Sequence, residues 1–495
     1  MPANTRSHVP FRSKMEYACG SLGEGFVNYA ISAFVVAYYT QALGLSGTLA
    51  GAAFFVTLVF DAISDPWIGA WSDRFKSKLG RRHPFIFISA IPVGATFYCI
   101  YMPPEFVRHA SLDPGLFGYS VRECLLFSWL FVFASLFKIF LTAYHVPHLA
   151  LGSELSGDYV ERTRVLRWNQ LAVFWGSALL AFAFYGFYFP DNAIAKEHDA
   201  TFFAASVSLS AMFLILLSAF LTRDQIQFLP QPNDNLPKFT FRQFRSEFWQ
   251  ALNNRNYLLL LGGFFFIAPL TGVREVMHYQ MNIHYWALPT SLIKWISLTN
   301  MPVFLLVALL IPYFHTRFEK SKTMLIGISV LAFASVTPVL ARSFFVFPEN
   351  GSASLFPTLL LFNWLFYGGF LMVSISVYSA LGDVTDEHEL KTGRRMEGIF
   401  YSARTFFGKV TIGLGALIGG IAIDVIGFPS QAIVGEVDPE VLFNLGIVEG
   451  PLASIPLIGA IICYGSYNLS KSRQLEIQRQ LASKSEQELA ALAAS

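Results

Sequence analysis

Long apolar stretches separated by short polar segments are the dominant feature of this sequence. Apolar residues make up 54% of the 495 residues, and each stretch is close to the ~20 residues that a helix needs to cross a bilayer. A backbone inside a bilayer must satisfy its own hydrogen bonds, so such stretches are helical. The twelve predicted spans lie near residues 22–43, 47–70, 83–103, 125–151, 168–189, 202–222, 257–283, 289–313, 323–342, 356–381, 398–426 and 450–469. We therefore predict an all-α polytopic membrane protein.

Basic residues of the polar segments gather on one side of the predicted membrane. Most lysines and arginines lie in both tails and in the segments 74–82, 162–167, 223–255, 317–322 and 391–395. By the positive-inside rule, both termini are cytoplasmic. We expect a multi-pass protein of the plasma membrane, which in a bacterium is the inner membrane.

The longest basic segment divides the chain into two groups of six helices. The predicted domains are an N-terminal six-helix bundle, a cytoplasmic linker, a C-terminal six-helix bundle and a cytoplasmic tail, over residues 1–222, 223–256, 257–470 and 471–495. The tripeptide Ala-Leu-Gly occurs at 150–152 and again at 380–382, at the cytoplasmic exit of the fourth helix of each group. Two repeats around a site near the membrane midplane are the architecture of alternating-access transporters.

Two carboxylates lie inside the second predicted span. Asp61 and Asp65 share one helical face at spacing i, i+4. A carboxylate at the centre of a membrane helix costs roughly 2.5–3.5 kcal/mol on insertion scales, and two neighbouring anions repel unless a cation lies between them. Pro66 has no N–H, so the carbonyl of Ala62 is left free as a further ligand. This pattern predicts a cation site; the alternative is a structural polar pair that bonds to neighbouring helices.

A polar loop follows this helix and completes a family pattern. The loop Gly69-Ala-Trp-Ser-Asp73-Arg74 through Gly80-Arg81-Arg82 resembles the segment between helices two and three of the major facilitator superfamily. The helix with Asp61 and Asp65-Pro66 is similar to that of the glycoside–pentoside–hexuronide:cation symporter family. The end of helix one, residues 37–46, and the run from Glu397 to Lys409 extend the resemblance over most of the chain.

The resemblance implies a major facilitator fold and assigns roles to individual residues. In that family, two helix-two aspartates and a helix-four threonine bind Na⁺, Li⁺ or H⁺, and a helix-eleven lysine lies nearby. Here the cation-binding and coupling residues would be Asp61, Asp65, Thr142 and Lys409. The residues of the gating loop would be Asp73, Arg74, Arg81 and Arg82.

The sugar-contacting positions depart from the melibiose-type pattern of that family. Gly25, with Glu24 beside it, stands where those members have an acid on helix one. His145, Leu149 and Gln170 replace an acid, a tryptophan and an arginine. A galactoside is therefore not supported, and the substrate class stays open between glycosides, pentosides, hexuronides and, as in an animal branch, lysophospholipids.

The fourth predicted helix carries a polar stripe. Lys138, Thr142 and His145 lie at i, i+4 and i+7. An ammonium near Asp61 and Asp65 could replace Na⁺ as their counter-charge, so that coupling would be to protons or absent. The alternative for Lys138 is snorkelling to an interface. His145 titrates near neutral pH, which favours proton handling, although a buried histidine can equally serve as a hydrogen-bonding partner.

Further polar residues inside the spans are predicted to line a substrate cavity. Arg274 and His278 share one face of the seventh helix, although an Arg274–Glu275 pair bonded to neighbouring helices is an alternative. The predicted substrate-binding set is Glu24, Asn28, His145, His148, Gln170, Arg274, His278, Asn363, Tyr367, Arg404 and Thr405.

No enzymatic motif accompanies these residues. The sequence contains no HExxH, GxSxG or GxxxxGK pattern, so we predict no catalytic residues. The favoured function is cation-coupled symport of a sugar- or glycoside-type solute, with H⁺ preferred over Na⁺. We expect no cofactor, no metal other than a Na⁺ ion at Asp61 and Asp65, no nucleic-acid partner and a monomer. The alternatives are a transporter of a lysophospholipid, another amphiphile or an organic anion with the same fold, and a membrane receptor that does not transport.

Overall fold

The computed structural model describes the backbone of residues 8–156, 158–190, 197–229, 249, 252–393 and 397–494. Helices account for nearly all of these residues, and no β-strand occurs among them. Most of the predicted linker, residues 223–256, lies outside the described part of the chain.

Six long helices form the N-terminal part. Their bounds are α1 (Phe11–Ala37), α2 (Gly47–Arg74), α3 (His83–Tyr101), α4 (Val121–Glu154), α5 (Tyr159–Ala183) and α6 (Glu197–Leu221). Two of them end in π-helical turns, Tyr38–Ala42 after α1 and Phe184–Tyr188 after α5.

Seven helices follow in the C-terminal part. Their bounds are α7 (Arg255–Gln280), α8 (Thr290–Arg317), α9 (Lys320–Ser343), α10 (Leu355–Thr392), α11 (Glu397–Val425), α12 (Pro439–Ile447, continued after a π-turn as Leu457–Gly465) and α13 (Lys471–Ala494). A further π-turn, Met281–Tyr285, ends α7.

The apolar stretches correspond to these helices. Within the described residues, 11 helical segments are long and apolar enough to cross a membrane, and α1, which corresponds to the first of the twelve predicted spans, is not among them. The prediction of a multi-pass, all-α membrane protein is confirmed. The predicted first span starts at 22, whereas α1 begins at Phe11, because its polar first turns find partners. The ammonium of Lys14 is buried 2.6 Å from the carboxylate of Glu161 at the start of α5.

Local capping fixes where the helices around the cation site begin. The Ser46 hydroxyl accepts the N–H of Leu49 at 3.3 Å and caps α2. A capping box formed by Ser120 and Glu123 starts α4. Such caps satisfy N–H groups that have no partner within the helix. They set the register with which α2 and α4 carry their polar residues toward each other.

The chain separates into two compact units. The first unit contains residues 1–238, 272–298 and 412–446, and the second contains 239–271, 299–411 and 447–495. Helices α7 and α11 therefore contribute residues to both units. This division into units does not test the predicted boundaries of the two six-helix bundles, which stay predictions.

The second unit has an apolar core that includes the C-terminal helix. Leu331, Phe366, Phe400 and Tyr464 are buried in this core, and Ile477 of α13 is buried with them. Helix α13, which covers the predicted tail, is held on the C-terminal end of α10, since Gln474 also donates a hydrogen bond to Asp386 at 2.9 Å.

Candidate cation and substrate site

Two helices of the first unit bring the predicted cation-site residues together. The Thr142 Oγ1 of α4 lies 2.9 Å from Asp61 Oδ1 and 3.1 Å from Asp65 Oδ1 of α2. Asp61 is buried and Asp65 is half-buried. The Thr142 hydroxyl has one proton, so it donates to one of these two carboxylates at a time.

Lys138 lies beside the same carboxylates. Its Nζ is 3.9 Å from Asp61 Oδ2, and its side chain is buried one helical turn before Thr142. A buried ammonium at this depth does not reach a membrane interface, so the snorkelling alternative is not what the structure shows. The carboxylate pair therefore already has one positive neighbour.

Glu24 of α1 and His145 of α4 form a second charged pair. His145 Nδ1 lies 2.7 Å from Glu24 Oε1. The Glu24 side chain is 5% exposed, whereas that of His145 is 42% exposed, so the pair is buried on its acidic side and open on its basic side. The exposed part of the His145 ring can therefore form hydrogen bonds with a bound molecule.

Asn28 joins the two charged groups. Its Nδ2 donates to Glu24 Oε1 at 3.4 Å, and its Oδ1 accepts from Lys138 Nζ at 3.4 Å. A continuous polar chain therefore runs from His145 through Glu24, Asn28 and Lys138 to Asp61.

Close packing of α1 against α5 explains why Gly25 stands beside Glu24. A Cβ at Gly25 would collide with the carbonyl oxygen of Val173, and a Cβ at Gly176 would collide with that of Leu22. Helices α1 and α5 cross closely here. An acid at position 25 would therefore not fit without moving the backbone, and Glu24 supplies the carboxylate instead.

Two other predicted substrate residues lie elsewhere in the first unit. His148 is buried between helices, where its Nε2 is 3.1 Å from the Tyr17 carbonyl oxygen and its ring stacks on Tyr17 at 4.3 Å. These contacts are those of a packing residue. Gln170 is exposed on α5, directly after the buried Asn169.

Helix α7 carries three of the predicted polar residues, Arg274, Glu275 and His278. Glu275 is exposed, and it interacts electrostatically with Lys138. Arg274 and His278 are half-buried on the same helix. The structure thus adds a third acidic side chain near Lys138, which the sequence alone did not assign to the cation site.

The second unit holds the remaining predicted substrate residues. Asn363 donates to Asn300 Oδ1 at 2.7 Å. The ring of Tyr367 meets Phe304 edge-on. The guanidinium of Arg404 donates to the Tyr378 hydroxyl at 2.6 Å and lies 3.8 Å from the centre of that ring.

Two further predicted residues lie on α11. The Thr405 hydroxyl of that helix donates to its own backbone at the carbonyl of Tyr401. Lys409 is half-buried on the same helix. The contacts of Arg404 with an aromatic face and a hydroxyl make it the most firmly positioned of the predicted substrate residues on this helix.

The predicted gating loop forms an ion cluster in the first unit. Arg81 and Arg82 donate to Glu154 Oε1 at 2.9 and 2.7 Å, and Arg82 also reaches Asp73 at 2.5 Å and the Ser72 hydroxyl at 2.7 Å. These bonds join the end of α2, the start of α3 and the end of α4. Arg74 is exposed at the C-terminus of α2, where a positive charge complements the helix dipole.

The second unit contains a corresponding ion pair. Lys320 at the start of α9 lies 2.5 Å from Asp383 in the C-terminal part of α10. Asp383 follows the second Ala-Leu-Gly tripeptide directly, and Glu154 follows the first by two residues. Each copy of the repeat is therefore followed by an acid that binds a basic residue at the start of the preceding helix.

Sequence analysis missed a set of contacts at the end of the first unit opposite the basic loops. Both carboxylate oxygens of Asp424 accept backbone N–H groups at 2.7 Å, from Gly47 and Thr48 at the start of α2. Glycine makes this approach possible, because a Cβ at Gly420 would collide with the Gly47 carbonyl oxygen.

The loop that follows Asp424 is held at the same end. Gln41 bonds to the Pro429 carbonyl at 3.4 Å and to the Ala432 N–H at 3.1 Å. Phe428 meets the ring of His284, in the π-turn after α7, at 5.4 Å. Residues 424–432, which we call the clasp, thus bond to the ends of α1 and α2 and contact that of α7.

Comparisons with known proteins agree on one class of protein, membrane transporters. The sequence profile of the family described as MFS/sugar transport protein matches residues 16–471. A protein of Escherichia coli K12 named as a glycoside/cation symporter is 24% identical over 96% of this chain and 95% of its own length. The isoprimeverose transporter of Lactiplantibacillus pentosus is 22% identical over 86% of this chain and 82% of its own length.

Solved structures resemble the chain in fold. A bacterial homologue of the human drug peptide transporters PepT1 and PepT2 is similar with a TM-score of 0.61 at 14% identity, over 95% of this chain and 99% of that one. At this identity the similarity concerns the fold alone.

Proposed function

Because the chain belongs to the MFS/sugar transport protein family, we propose that it transports a sugar- or glycoside-type solute together with a proton by alternating access. The coarser part of this statement is established by the family: the chain is a multi-pass membrane transporter with a major facilitator fold, and not an enzyme. The nature of the ion and of the solute is our proposal.

Proton coupling is supported by one observation above all, the ammonium of Lys138 at 3.9 Å from Asp61. A Na⁺ ion bound by Asp61, Asp65 and Thr142 would stand close to this ammonium. Two cations about 4 Å apart repel by roughly 4 kcal/mol at an effective dielectric constant of 20. A proton instead forms a covalent O–H bond on one carboxylate and leaves a neutral carboxyl group, so no separate cation stands beside the ammonium.

A hydroxyl-rich solute is supported by the polar groups that are open to a ligand. Within the first unit, the open side of His145, beside the buried Glu24, offers the polar groups that orient a hydroxyl-rich ligand. The names of the relatives, a glycoside/cation symporter and an isoprimeverose transporter, point to the same chemical class. The orientation that we propose, with the basic loops and both termini in the cytoplasm, follows the positive-inside rule.

A two-step experiment tests this function. A thermal-shift screen of glycosides, pentoses, hexuronates and lysophospholipids would first identify a ligand of the purified protein. Uptake of that ligand, isotopically labelled, would then be measured in proteoliposomes with and without an imposed pH gradient. We expect a saccharide to accumulate only when the outside is acidic. Uptake of lysophospholipids alone would replace the saccharide proposal, and ligand binding without any uptake would indicate a receptor.

A further inference from the structure

The ammonium of Lys138 lies between Asn28 and Asp61, and both contacts are longer than an ordinary charge-assisted hydrogen bond. Charge-assisted N–H···O bonds are typically about 2.7–2.9 Å long, whereas its Nζ is 3.4 Å from Asn28 Oδ1 and 3.9 Å from Asp61 Oδ2. The ammonium is buried, so water does not compensate for these long distances. A small movement toward either partner would strengthen one contact at the expense of the other.

The orientation of the Asn28 amide is fixed by charge. Its oxygen faces the ammonium of Lys138 and its NH₂ group faces the carboxylate of Glu24. The opposite orientation would turn a donor toward a cation and an acceptor toward an anion, and both contacts would be repulsive. Asn28 therefore transmits the state of Glu24 to Lys138 with a defined sign.

We propose that Asn28 is the positioning residue that couples solute binding at the Glu24–His145 pair to ion binding at Asp61 and Asp65. This inference rests on the proposed symport function. A solute hydroxyl that bonds to the open side of His145 draws the imidazole away from Glu24, so Glu24 binds the Asn28 NH₂ group more tightly. The Asn28 oxygen then holds Lys138 away from Asp61, and the carboxylates retain the coupling ion.

The reverse steps complete the cycle. When the solute leaves, His145 bonds to Glu24 again and competes with Asn28 for Glu24 Oε1, the oxygen that both side chains now contact. Lys138 is then free to approach Asp61 and displace the ion. The charged groups that act on Lys138 are Asp61 on α2, Glu24 on α1 and Glu275 on α7.

The amide of Asn28 contacts both Glu24 and Lys138, so a single substitution can remove this link. Asn28→Ala removes both hydrogen bonds but leaves the Glu24–His145 pair and the Asp61–Thr142 contact intact. A coupling residue and a solute-contacting residue therefore give different results. Loss of a solute contact weakens exchange and accumulation together, whereas loss of coupling affects accumulation alone.

The test compares two transport modes of the same reconstituted protein, with the saccharide found by the thermal-shift screen. For Asn28→Ala we expect accumulation under a pH gradient to fall at least about fivefold more than solute counterflow at equal pH, each relative to wild type. Asn28→Gln, which restores an amide, should recover part of the accumulation. Ser177→Ala is the matched control, because Ser177 is bonded to the carbonyl of Gly25 at 3.3 Å but not to the polar chain.

Each outcome decides between the two claims. Equal accumulation by Asn28→Ala and wild type overturns the role of Asn28 and leaves the proposed function standing. Parallel loss of counterflow and accumulation in Asn28→Ala, with Ser177→Ala normal, also overturns it, since Asn28 would then be a solute contact. A wild-type protein with neither counterflow nor accumulation overturns the proposed function and this inference with it.

Discussion

The ammonium of Lys138 lies 3.9 Å from Asp61, within the cluster that Asp61, Asp65 and Thr142 form. This basic side chain places a positive charge beside Asp61, so the protein carries part of the counter-charge itself. Single substitutions on α2 and α4 can therefore test the proposed ion coupling.

Neutralising either helix-two carboxylate should abolish coupled transport. We expect Asp61→Asn and Asp65→Asn to lose accumulation of the solute by at least about tenfold and to keep their fold, because the substitution changes charge and hardly changes volume. Proteoliposome uptake and thermal unfolding measure the two effects. Glu349→Gln, at an exposed acid in the α9–α10 loop, is the control. Accumulation at wild-type levels in both aspartate variants would refute the cation site.

Lys409 should matter more than a lysine in a basic loop. An ammonium within a membrane helix is costly and is kept for function, and Lys409 is half-buried on α11, whereas Lys322 is exposed at the start of α9. We therefore expect Lys409→Ala to reduce the initial uptake rate at least about fivefold and Lys322→Ala to leave it nearly unchanged. Equal effects of the two substitutions would mean that Lys409 is only interfacial.

Glu154 should be the most sensitive residue of the gating cluster. Its Oε1 accepts bonds from both Arg81 and Arg82, so Glu154→Ala leaves two guanidinium groups without their common partner. Breaking a buried ion pair typically costs about 3–5 kcal/mol. Asp73 is 45% exposed and binds Arg82 alone, so Asp73→Ala should lower the unfolding temperature much less. The same loss of thermal stability in both variants would contradict this ranking.

The clasp should hold its end of the first unit together. Loss of a helix cap costs about 1 kcal/mol, so Asp424→Ala should make opening of the clasp away from α2 about fivefold more frequent. The Ser297 hydroxyl bonds to that of Tyr29. The substitution Ser297→Cys would report opening by its reaction with an impermeant maleimide. The native cysteines 19, 99, 124 and 463 would first be replaced by serine.

The control for the clasp is Glu440→Ala, at an exposed acid in the first turn of α12. It should label at the parental rate. If Asp424→Ala also labels at that rate, the clasp does not limit opening.

The sequence predicts the helices well because the length of each apolar run is by itself enough to indicate a membrane helix. The cluster of Asp61, Asp65 and Thr142 is also predictable, since two of its members share one helical face and the family pattern supplies the third. Glu24 and His145 are recognisable as intramembrane polar residues, but their pairing depends on how α1 packs against α4.

Long-range contacts are what the sequence does not reveal. Asp424 resembles a solvated acid at a helix end, and its partner Gly47 lies 377 positions away. His148 lies three residues from His145 and therefore near the same helical stripe, yet Tyr17 and Ser218 from other helices enclose it. Whether the edge of a stripe faces a cavity or a neighbouring helix is decided by tertiary packing. The 3.4 Å contacts of Asn28 are of the same kind, since its two partners come from different helices.

Replacing Lys138 should change the ion requirement. Lys138→Gly removes the ammonium beside Asp61 and leaves two carboxylates and a hydroxyl, the hard oxygen ligands that suit small cations. We expect solute binding or uptake by this variant to become sensitive to Na⁺ or Li⁺. Thermal shift in the presence of each salt, with choline chloride as the control, measures the effect; equal responses to all three salts would contradict it.

The most direct measurement is the initial rate of solute uptake by the wild-type protein in proteoliposomes, with the pH gradient and the Na⁺ gradient imposed separately. If Lys138 supplies the counter-charge of Asp61 and Asp65, an inward pH gradient drives accumulation, and an inward Na⁺ gradient at fixed pH adds nothing. Stimulation of wild-type uptake by Na⁺ at fixed pH would contradict this account and would mean that Lys138 does not occupy the cation site during transport.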